Sequence, residues 1–92
     1  MASESRIRLI VLGRVQGVGF RYAAREAASA CGVSGWVRNL PDGTVEIVAE
    51  GTPAAVGRMR AWAESGPRHA GVERVLEEAQ APENLRGFEI RR

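Results

Sequence analysis

The stretch GRVQGVGFR, which runs from Gly13 to Arg21, places three glycines and two arginines within nine residues. It follows a strongly apolar run and precedes an alanine-rich one, which is typical of a loop between a strand and a helix. The backbone N–H groups of such a glycine-rich turn lack partners within secondary structure and can converge on one oxyanion. The N-terminus of the following helix adds about half a positive charge. The motif therefore predicts a binding site for an anion such as phosphate.

Two common phosphate-binding motifs do not match this loop. A Walker A loop has Lys followed by Ser or Thr after its last glycine, whereas Gly19 is followed here by Phe20 and Arg21. The dinucleotide fingerprint requires a third glycine where Tyr22 stands. An anion site in this chain would therefore belong to neither class.

Arg21 lies in the first turn of the predicted helix, where an exposed positive charge costs about 0.3–1 kcal/mol. An arginine at that position suggests an anion that the guanidinium and the loop amides share. The alternative is a side chain that points into solvent or pairs with a nearby glutamate.

The other reactive residue types offer little for catalysis. His69, Cys31 and Asp42 are the only residues of their kinds. We expect His69 in a solvated loop, Cys31 on the apolar face of a helix and Asp42 in a tight turn. No cluster of His, Cys or carboxylate residues has the spacing of a metal site. An enzyme built on this chain would lack an obvious general acid, general base, nucleophile or metal.

A site this sparse suits the hydrolysis of an acyl phosphate. Hydrolysis of a phosphate monoester must expel an alkoxide and is among the slowest uncatalysed reactions. An acyl phosphate instead expels a carboxylate whose parent acid has a pKa of about 4–5, so it departs at neutral pH without a proton. Phosphoryl transfer through a loose transition state then requires mainly positioning and electrostatic stabilisation. An arginine, several backbone amides and one residue that holds a water would be enough.

Asn39, in GWVRNLPDG, is a candidate for the residue that holds the water. It stands at the predicted end of a strand, and its side-chain amide offers a donor and an acceptor without titrating. The alternative is an asparagine that hydrogen-bonds the backbone of the adjacent hairpin turn.

The surrounding pattern predicts the elements that would position these residues. Alternating apolar residues and helical spacings give the order strand, helix, strand, strand, helix, strand, with a possible short extra strand. Two βαβ halves in one small chain predict a ferredoxin-like α+β sandwich, with two helices on one face of an antiparallel sheet of four or five strands. The first two strands then run in the same direction, which brings the loop at residues 13–21 beside Arg38, Asn39 and Leu40.

Length and composition set the limits of this interpretation. The 92 residues suffice for one domain, which we expect to span residues 6–92 after a disordered arm at residues 1–5. A formal net charge of +2 is too small to imply a polyanionic partner. No apolar run approaches the ~20 residues that cross a bilayer, and the polar start does not read as a signal peptide. With a single cysteine, these features predict a cytoplasmic protein.

Together, GRVQGVGFR and GWVRNLPDGTVE resemble the acylphosphatase family. The GP..AGV..V pattern at residues 66–75 and the closing GFEIRR extend the likeness over nearly the whole chain. The resemblance implies a hydrolase that cleaves the carboxyl–phosphate bond of acyl phosphates without a metal or other cofactor. We expect a monomer that acts on a small molecule, with inorganic phosphate as product and inhibitor, and with neither nucleic acid nor membrane as partner.

The same resemblance implies the roles of the site residues. Arg21 ends the loop motif and Asn39 follows the Trp-Val-basic triplet, which are the two catalytic positions of the family. The predicted mechanism is in-line attack of a water positioned by Asn39 on a phosphoryl group held by Arg21 and the loop amides. Those amides belong to Val15, Gln16, Gly17, Val18, Gly19 and Phe20.

Two other functions stay open at this point. The same fold class includes RNA-recognition domains, which stack bases on aromatic residues of their central strands. The predicted central strands RIRLIVL and TVEIVAE contain no aromatic residue, although Arg6, Arg8, Arg91 and Arg92 could form a basic edge. Larger proteins also carry acylphosphatase-like domains that handle carbamoyl phosphate, and co-purification with a maturation complex would indicate that role.

Overall fold

The computed structural model describes residues 4–92, which form five strands and two helices. Of the predicted arm at residues 1–5, residues 1–3 lie outside the described part, and Ser5 is already the first residue of a strand. Neither helix of the described chain is long and apolar enough to span a bilayer. In chain order, the elements are β1 (Ser5–Arg14), α1 (Phe20–Cys31), β2 (Ser34–Asn39), β3 (Val45–Gly51), α2 (Pro53–Ser65), β4 (Gly71–Gln80) and β5 (Phe88–Arg91).

The strands form one sheet in the order β4-β1-β3-β2-β5. β3 pairs antiparallel with both β1 and β2, so β1 and β2 run in the same direction, and the β1–α1 loop meets the end of β2. The predicted ferredoxin-like arrangement is thereby confirmed. The sheet is mixed rather than wholly antiparallel, because β5 pairs parallel with β2. Residues 81–87 connect β4 at one edge of the sheet to β5 at the other, which sets the direction of β5.

Apolar and polar residues alternate along the strands, and the apolar ones lie on the face of the sheet that is buried beneath the helices. Ile7, Leu9 and Val11 of β1 belong to that face and are at most 6% exposed. Phe20, at the start of α1, meets Trp62 of α2 edge-on with 5.2 Å between the ring centroids. The start of α1 is therefore fixed against α2 by the core. The other buried core residues are Val15, Ala24, Ala28, Val33, Val37, Val45, Ile47, Ala49, Ala55, Val56, Met59 and Ala63.

The opposite face of the sheet carries charged side chains that pair across the strands. Glu46, in the central strand β3, is 2% exposed and accepts hydrogen bonds from the guanidinium groups of Arg8 on β1 and Arg38 on β2. Burial raises the pKa of this carboxyl, but the hydrogen bonds and charges of the two arginines outweigh it and hold the pKa of Glu46 below its ordinary value. Glu46 is thus an ionised link across three strands.

Glu50 lies four residues beyond Glu46 on β3 and binds the segment at residues 81–87, which crosses the sheet. Its carboxylate accepts the backbone N–H groups of Glu83 and Leu85 at 2.9 and 3.1 Å, and lies 3.6 Å from the guanidinium of Arg6. Burial raises the pKa of Glu50, and these N–H groups together with Arg6 lower it further than burial raises it. One buried carboxylate therefore fixes residues 81–87 and, through them, the position of β5.

Three of the four arginines that the sequence predicts at a basic edge of the sheet form ion pairs. Arg6 and Arg8 are tied to the carboxylates of β3 described above. Arg91 pairs with Glu89 at 2.7 Å and lies over the ring of Trp36, 4.8 Å from its centroid. These three arginines therefore have carboxylate partners within the described chain, and an arginine lies over the Trp36 ring.

The substitution Glu46→Gln is expected to destabilise the fold by about 1.5–3 kcal/mol at neutral pH, because it removes a charged acceptor from Arg8 and Arg38. A carboxyl whose pKa is lowered by folding stabilises above its unfolded-state pKa and loses that effect as the pH falls through its folded-state pKa. The difference in unfolding free energy between the wild type and the variant should therefore shrink below about pH 4. Urea titrations from pH 7 to pH 3 measure it.

The matched control for this substitution is Glu73→Gln, which changes an exposed glutamate of β4. It should leave the unfolding free energy within about 0.5 kcal/mol of the wild type at every pH. A gap between Glu46→Gln and the wild type that stays constant down to pH 3 would contradict the assignment of Glu46 as an ionised link.

Candidate active site

The β1–α1 loop is anchored in the core at both of its ends. Val15 and Phe20 are 1% and 2% exposed, whereas the glycines between them face outward. Gly17 and Gly19 have φ angles of 73° and 77°, in the left-handed region that residues with a Cβ rarely adopt. Added Cβ atoms would meet no atom within 4 Å, so the requirement for glycine comes from the backbone angle rather than from space. The loop is thus a tight turn with fixed ends.

The backbone N–H groups of this turn lack protein acceptors. Within the described residues 4–92, no hydrogen bond is donated by the backbone N–H groups of residues 16–22. The N-cap of α1 is Gly19, which has no side chain to cap the helix, and the first turn contains no acidic residue. Uncapped amides at a helix N-terminus favour an anion both by hydrogen bonding and through the helix dipole. The turn therefore has the donors that the sequence predicts for an anion site.

A cavity of about 120 Å³ lies beside these amides. It brings Arg21, in the first turn of α1, together with Asn39, at the end of β2, as the directions of β1 and β2 predict. It is smaller than the roughly 300–1,000 Å³ typical of sites that enclose a whole small molecule. A phosphoryl group suits this size better. The residues that line it are Val15, Gly17, Gly19, Phe20, Arg21, Tyr22 and Asn39, so two predicted loop positions, Gln16 and Val18, are not in the lining.

Arg21 is partly buried, and its guanidinium has no carboxylate partner among residues 4–92. Among the described residues, Arg21 therefore does not pair with a nearby glutamate, which was one of the two interpretations of its position. Arg8 and Arg38, by contrast, share the buried carboxylate of Glu46. Because Arg21 keeps its five N–H donors and lies against the cavity, it is equipped to bind an anion there.

Asn39 is the last residue of β2 and pairs with Val45 of β3. Its side chain makes no hydrogen bond to any group within residues 4–92, so it does not hold the hairpin turn as the alternative interpretation proposed. Asp42 does so instead, because its Oδ1 accepts the N–H of Thr44 at 3.0 Å and the Thr44 hydroxyl at 2.6 Å. These two bonds lower the pKa of Asp42. The amide of Asn39 is left free for a ligand or a water.

Gln16 has a role that the sequence analysis missed. The prediction used only its backbone amide, but its side-chain Nε2 donates to the carbonyl oxygens of Leu40 and Thr44, both at 2.8 Å. These carbonyls belong to the β2–β3 hairpin. Gln16 is the one residue of the loop with a long, uncharged donor side chain, which is a signal for such a link, but the sequence spacing does not identify its partners.

The other reactive residues lie outside the cavity lining. Cys31 is partly buried at the last turn of α1, and His69 is exposed in the connection between α2 and β4. Across residues 4–92, no three His, Cys, Asp or Glu side chains come together as a metal site would require. The groups that the cavity offers are therefore amides, one guanidinium and one carboxamide.

Comparison with known proteins shows which family this chain resembles. A family model described as acylphosphatase matches residues 7–90. The chain is 53% identical to an acylphosphatase from Gloeobacter violaceus over 92 residues, which are 100% of this chain and 99% of the relative. The crystal structure of an acylphosphatase from Bacillus subtilis has a TM-score of 0.92 at 36% identity, covering 96% of this chain and 99% of that one.

The fold is also present within a larger protein. The crystal structure of T. kodakarensis HypF matches 96% of this chain with a TM-score of 0.80 and 28% identity, but the match covers only 12% of HypF. The chain therefore resembles the acylphosphatase from Gloeobacter violaceus more than it resembles HypF, both in length and in sequence identity. From the family match over residues 7–90 and the 53% identity to a relative across its whole length, the chain belongs to the acylphosphatase family of hydrolases.

Proposed function

We propose that this chain hydrolyses the carboxyl–phosphate bond of acyl phosphates and releases a carboxylate and inorganic phosphate. The observation that carries the proposal is the grouping of unpartnered loop amides, the Arg21 guanidinium and the Asn39 carboxamide around one cavity. Membership of the acylphosphatase family supports the same reaction.

The phosphoryl group binds to the loop and to Arg21. Backbone N–H groups from Val15 to Phe20 donate to its non-bridging oxygens, and the planar guanidinium of Arg21 contacts two of them at once. Fixed donors of this kind stabilise most strongly the charge that spreads over the phosphoryl oxygens in the transition state. They need no reorganisation, because the loop is anchored by the two buried residues at its ends.

Asn39 holds the attacking water in line with the bond from phosphorus to the acyl oxygen. The water oxygen forms a bond to phosphorus as the bond to the acyl oxygen breaks, and the carboxylate leaves with the electron pair. This leaving group needs no proton, since its parent acid has a pKa of about 4–5. The proton of the water passes to a phosphoryl oxygen, because neither a carboxylate nor an imidazole is among the described residues that line the cavity.

The test of the proposal is an assay of the purified chain with benzoyl phosphate before and after dialysis against EDTA. We expect hydrolysis at an unchanged rate, because amides, a guanidinium and a carboxamide supply the whole site. Inorganic phosphate should inhibit competitively, since it occupies the same donors. A phosphate monoester serves as the control and should be hydrolysed far more slowly, because its alkoxide leaving group needs a proton.

Two outcomes of this assay would count against the proposal. Activity that disappears with EDTA and returns with added divalent cations would contradict the metal-independent mechanism. An inactive chain, in the presence and absence of metal ions, would contradict the function itself.

The proposal includes a free monomer that acts on a small-molecule substrate in the cytoplasm. The likeness to part of HypF favours one alternative, in which the domain works within a larger assembly. Purification of the tagged chain from its own cells distinguishes the two, because the alternative predicts a stoichiometric protein partner and the proposal predicts the chain alone.

A further inference from the structure

We propose that the side chain of Gln16 has a positioning role: it sets the distance between the phosphate loop and Asn39 and thereby controls turnover without itself touching the substrate. The inference rests on the proposed function. It begins with the two hydrogen bonds from Gln16 Nε2 to the carbonyl oxygens of Leu40 and Thr44, both 2.8 Å long.

These two carbonyls lie on the two arms of the hairpin, one position nearer the turn than the rung that carries Asn39. Leu40 directly follows Asn39, and Thr44 directly precedes Val45, the residue that pairs with Asn39 across the hairpin. The side chain of Gln16 therefore contacts both arms of the hairpin, at the residues directly beyond the end of β2 and directly before the start of β3. A shift of the loop relative to this point would change the distance between the loop amides and the carboxamide of Asn39.

The hairpin closes independently of Gln16. The N–H of Leu40 donates to Thr44 O at 2.9 Å, and the N–H of Gly43 donates to Leu40 O at 3.1 Å. Each carbonyl thus already has one backbone donor, and Gln16 supplies a second one, using both hydrogens of its amide. Loss of the Gln16 side chain should therefore release the loop from the hairpin while the hairpin itself stays intact.

No other side-chain hydrogen bond joins the loop to the hairpin among residues 4–92. The other side-chain bonds of the hairpin are those of Asp42 with Thr44 and those that Glu46 and Glu50 make with the partners described above, and none of them reaches residues 13–21. The backbone pairing of β1 with β3 ends at Val11 and Val45, before the loop begins. Gln16 is thus the direct polar link between the two halves of the proposed site.

This link matters because the two halves have different tasks in the proposed reaction. The loop and Arg21 hold the phosphoryl group, and Asn39 holds the water that attacks it. A misplacement of about 1 Å between reacting groups can lower a rate by about 100-fold. Binding of phosphate to the loop does not depend on where Asn39 lies. Loss of Gln16 should therefore lower kcat and spare phosphate affinity.

The experiment compares the wild type with Gln16→Met, which keeps the length of the side chain and removes both donors. We expect kcat for benzoyl phosphate to fall about 10- to 100-fold. The inhibition constant of inorganic phosphate should stay within about threefold of the wild-type value. The control is Gln80→Met, the same change on β4, where Gln80 accepts a bond from Arg6. It should leave kcat unchanged, which separates positioning from a general loss of stability.

A double-mutant cycle with Asn39→Ala tests whether Gln16 acts through Asn39. A merely structural contribution of Gln16 would lower kcat equally with and without the Asn39 side chain. If Gln16 acts by placing the loop against Asn39, then Gln16→Met should lower kcat by less than about threefold in the Asn39→Ala background. Equal losses in both backgrounds would overturn the proposal. A parallel loss of phosphate affinity and kcat in Gln16→Met would also overturn it.

Thermal unfolding of each variant establishes that it is folded before the kinetics are compared. If Gln16→Met does not fold, Gln16→Asn takes its place, because it keeps the amide but is one methylene too short to reach both carbonyls. An inactive wild-type chain would overturn the proposed function and this inference together. An active wild type with full kcat in the Gln16 variant would overturn this inference alone.

Discussion

Replacement of Arg21 by alanine is expected to lower kcat/KM for benzoyl phosphate by at least about 10³-fold, the loss typical of an arginine that stabilises a transferring phosphoryl group. No other side chain in the described lining of the cavity can replace the guanidinium, because Arg21 is the only cationic residue there. The competitive inhibition by inorganic phosphate should weaken as well, since the ground-state anion contacts the same guanidinium. Steady-state kinetics with phosphate as inhibitor measure both effects.

Two further variants show whether the effect belongs to the guanidinium itself. Arg25 lies one helical turn beyond Arg21 on α1, is exposed and faces the ring of Tyr22 at 5.4 Å. Arg25→Ala should retain near wild-type activity. Arg21→Lys keeps the charge but loses the planar fork, and should recover only a small part of the activity. Hydrolysis by Arg21→Ala at a near-normal rate would contradict the proposed role of Arg21.

Much of this site was predictable because its features are local in the sequence. The glycines and arginine of the loop follow one another within nine residues, and the strand before and the helix after the loop show clear periodicities. The proximity of Arg21 and Asn39 followed from topology alone, since β1 and β2 run in the same direction in a split βαβ fold. Only the order of the strands was needed, not their side-chain packing.

The parts that the sequence did not predict depend on contacts between distant residues. The carbonyl partners of Gln16 lie 24 and 28 residues further along the chain. The direction of β5 depends on a segment that Glu50 binds 33 and 35 residues away. A buried glutamate in a strand pattern looks like an exposed one until its partners are known. Such links require the register of the sheet, which periodicity does not give.

Replacement of Asn39 by alanine is expected to lower kcat by about 10²–10³-fold, as removal of one preorganised polar group from a transition state does. In the proposed mechanism, the attacking water loses the group that orients it, whereas the donors to the phosphoryl group stay in place. Since the side chain of Asn39 makes no hydrogen bond to the described protein, the substitution breaks no internal hydrogen bond. The unfolding free energy should therefore stay within about 0.5 kcal/mol of the wild type.

The affinity of Asn39→Ala for inorganic phosphate decides between the two possible roles of this residue. A residue that positions the water leaves phosphate inhibition intact when it is removed, and intact inhibition also demonstrates a folded site. A residue that binds the phosphoryl group would instead raise the inhibition constant as strongly as it lowers kcat. Asn39→Asp tests whether this side chain lies close to the bound anion, because a carboxylate in the cavity should weaken phosphate binding through repulsion between like charges. Loss of phosphate binding in the alanine variant would show that Asn39 belongs with Arg21 and the loop amides rather than with the water.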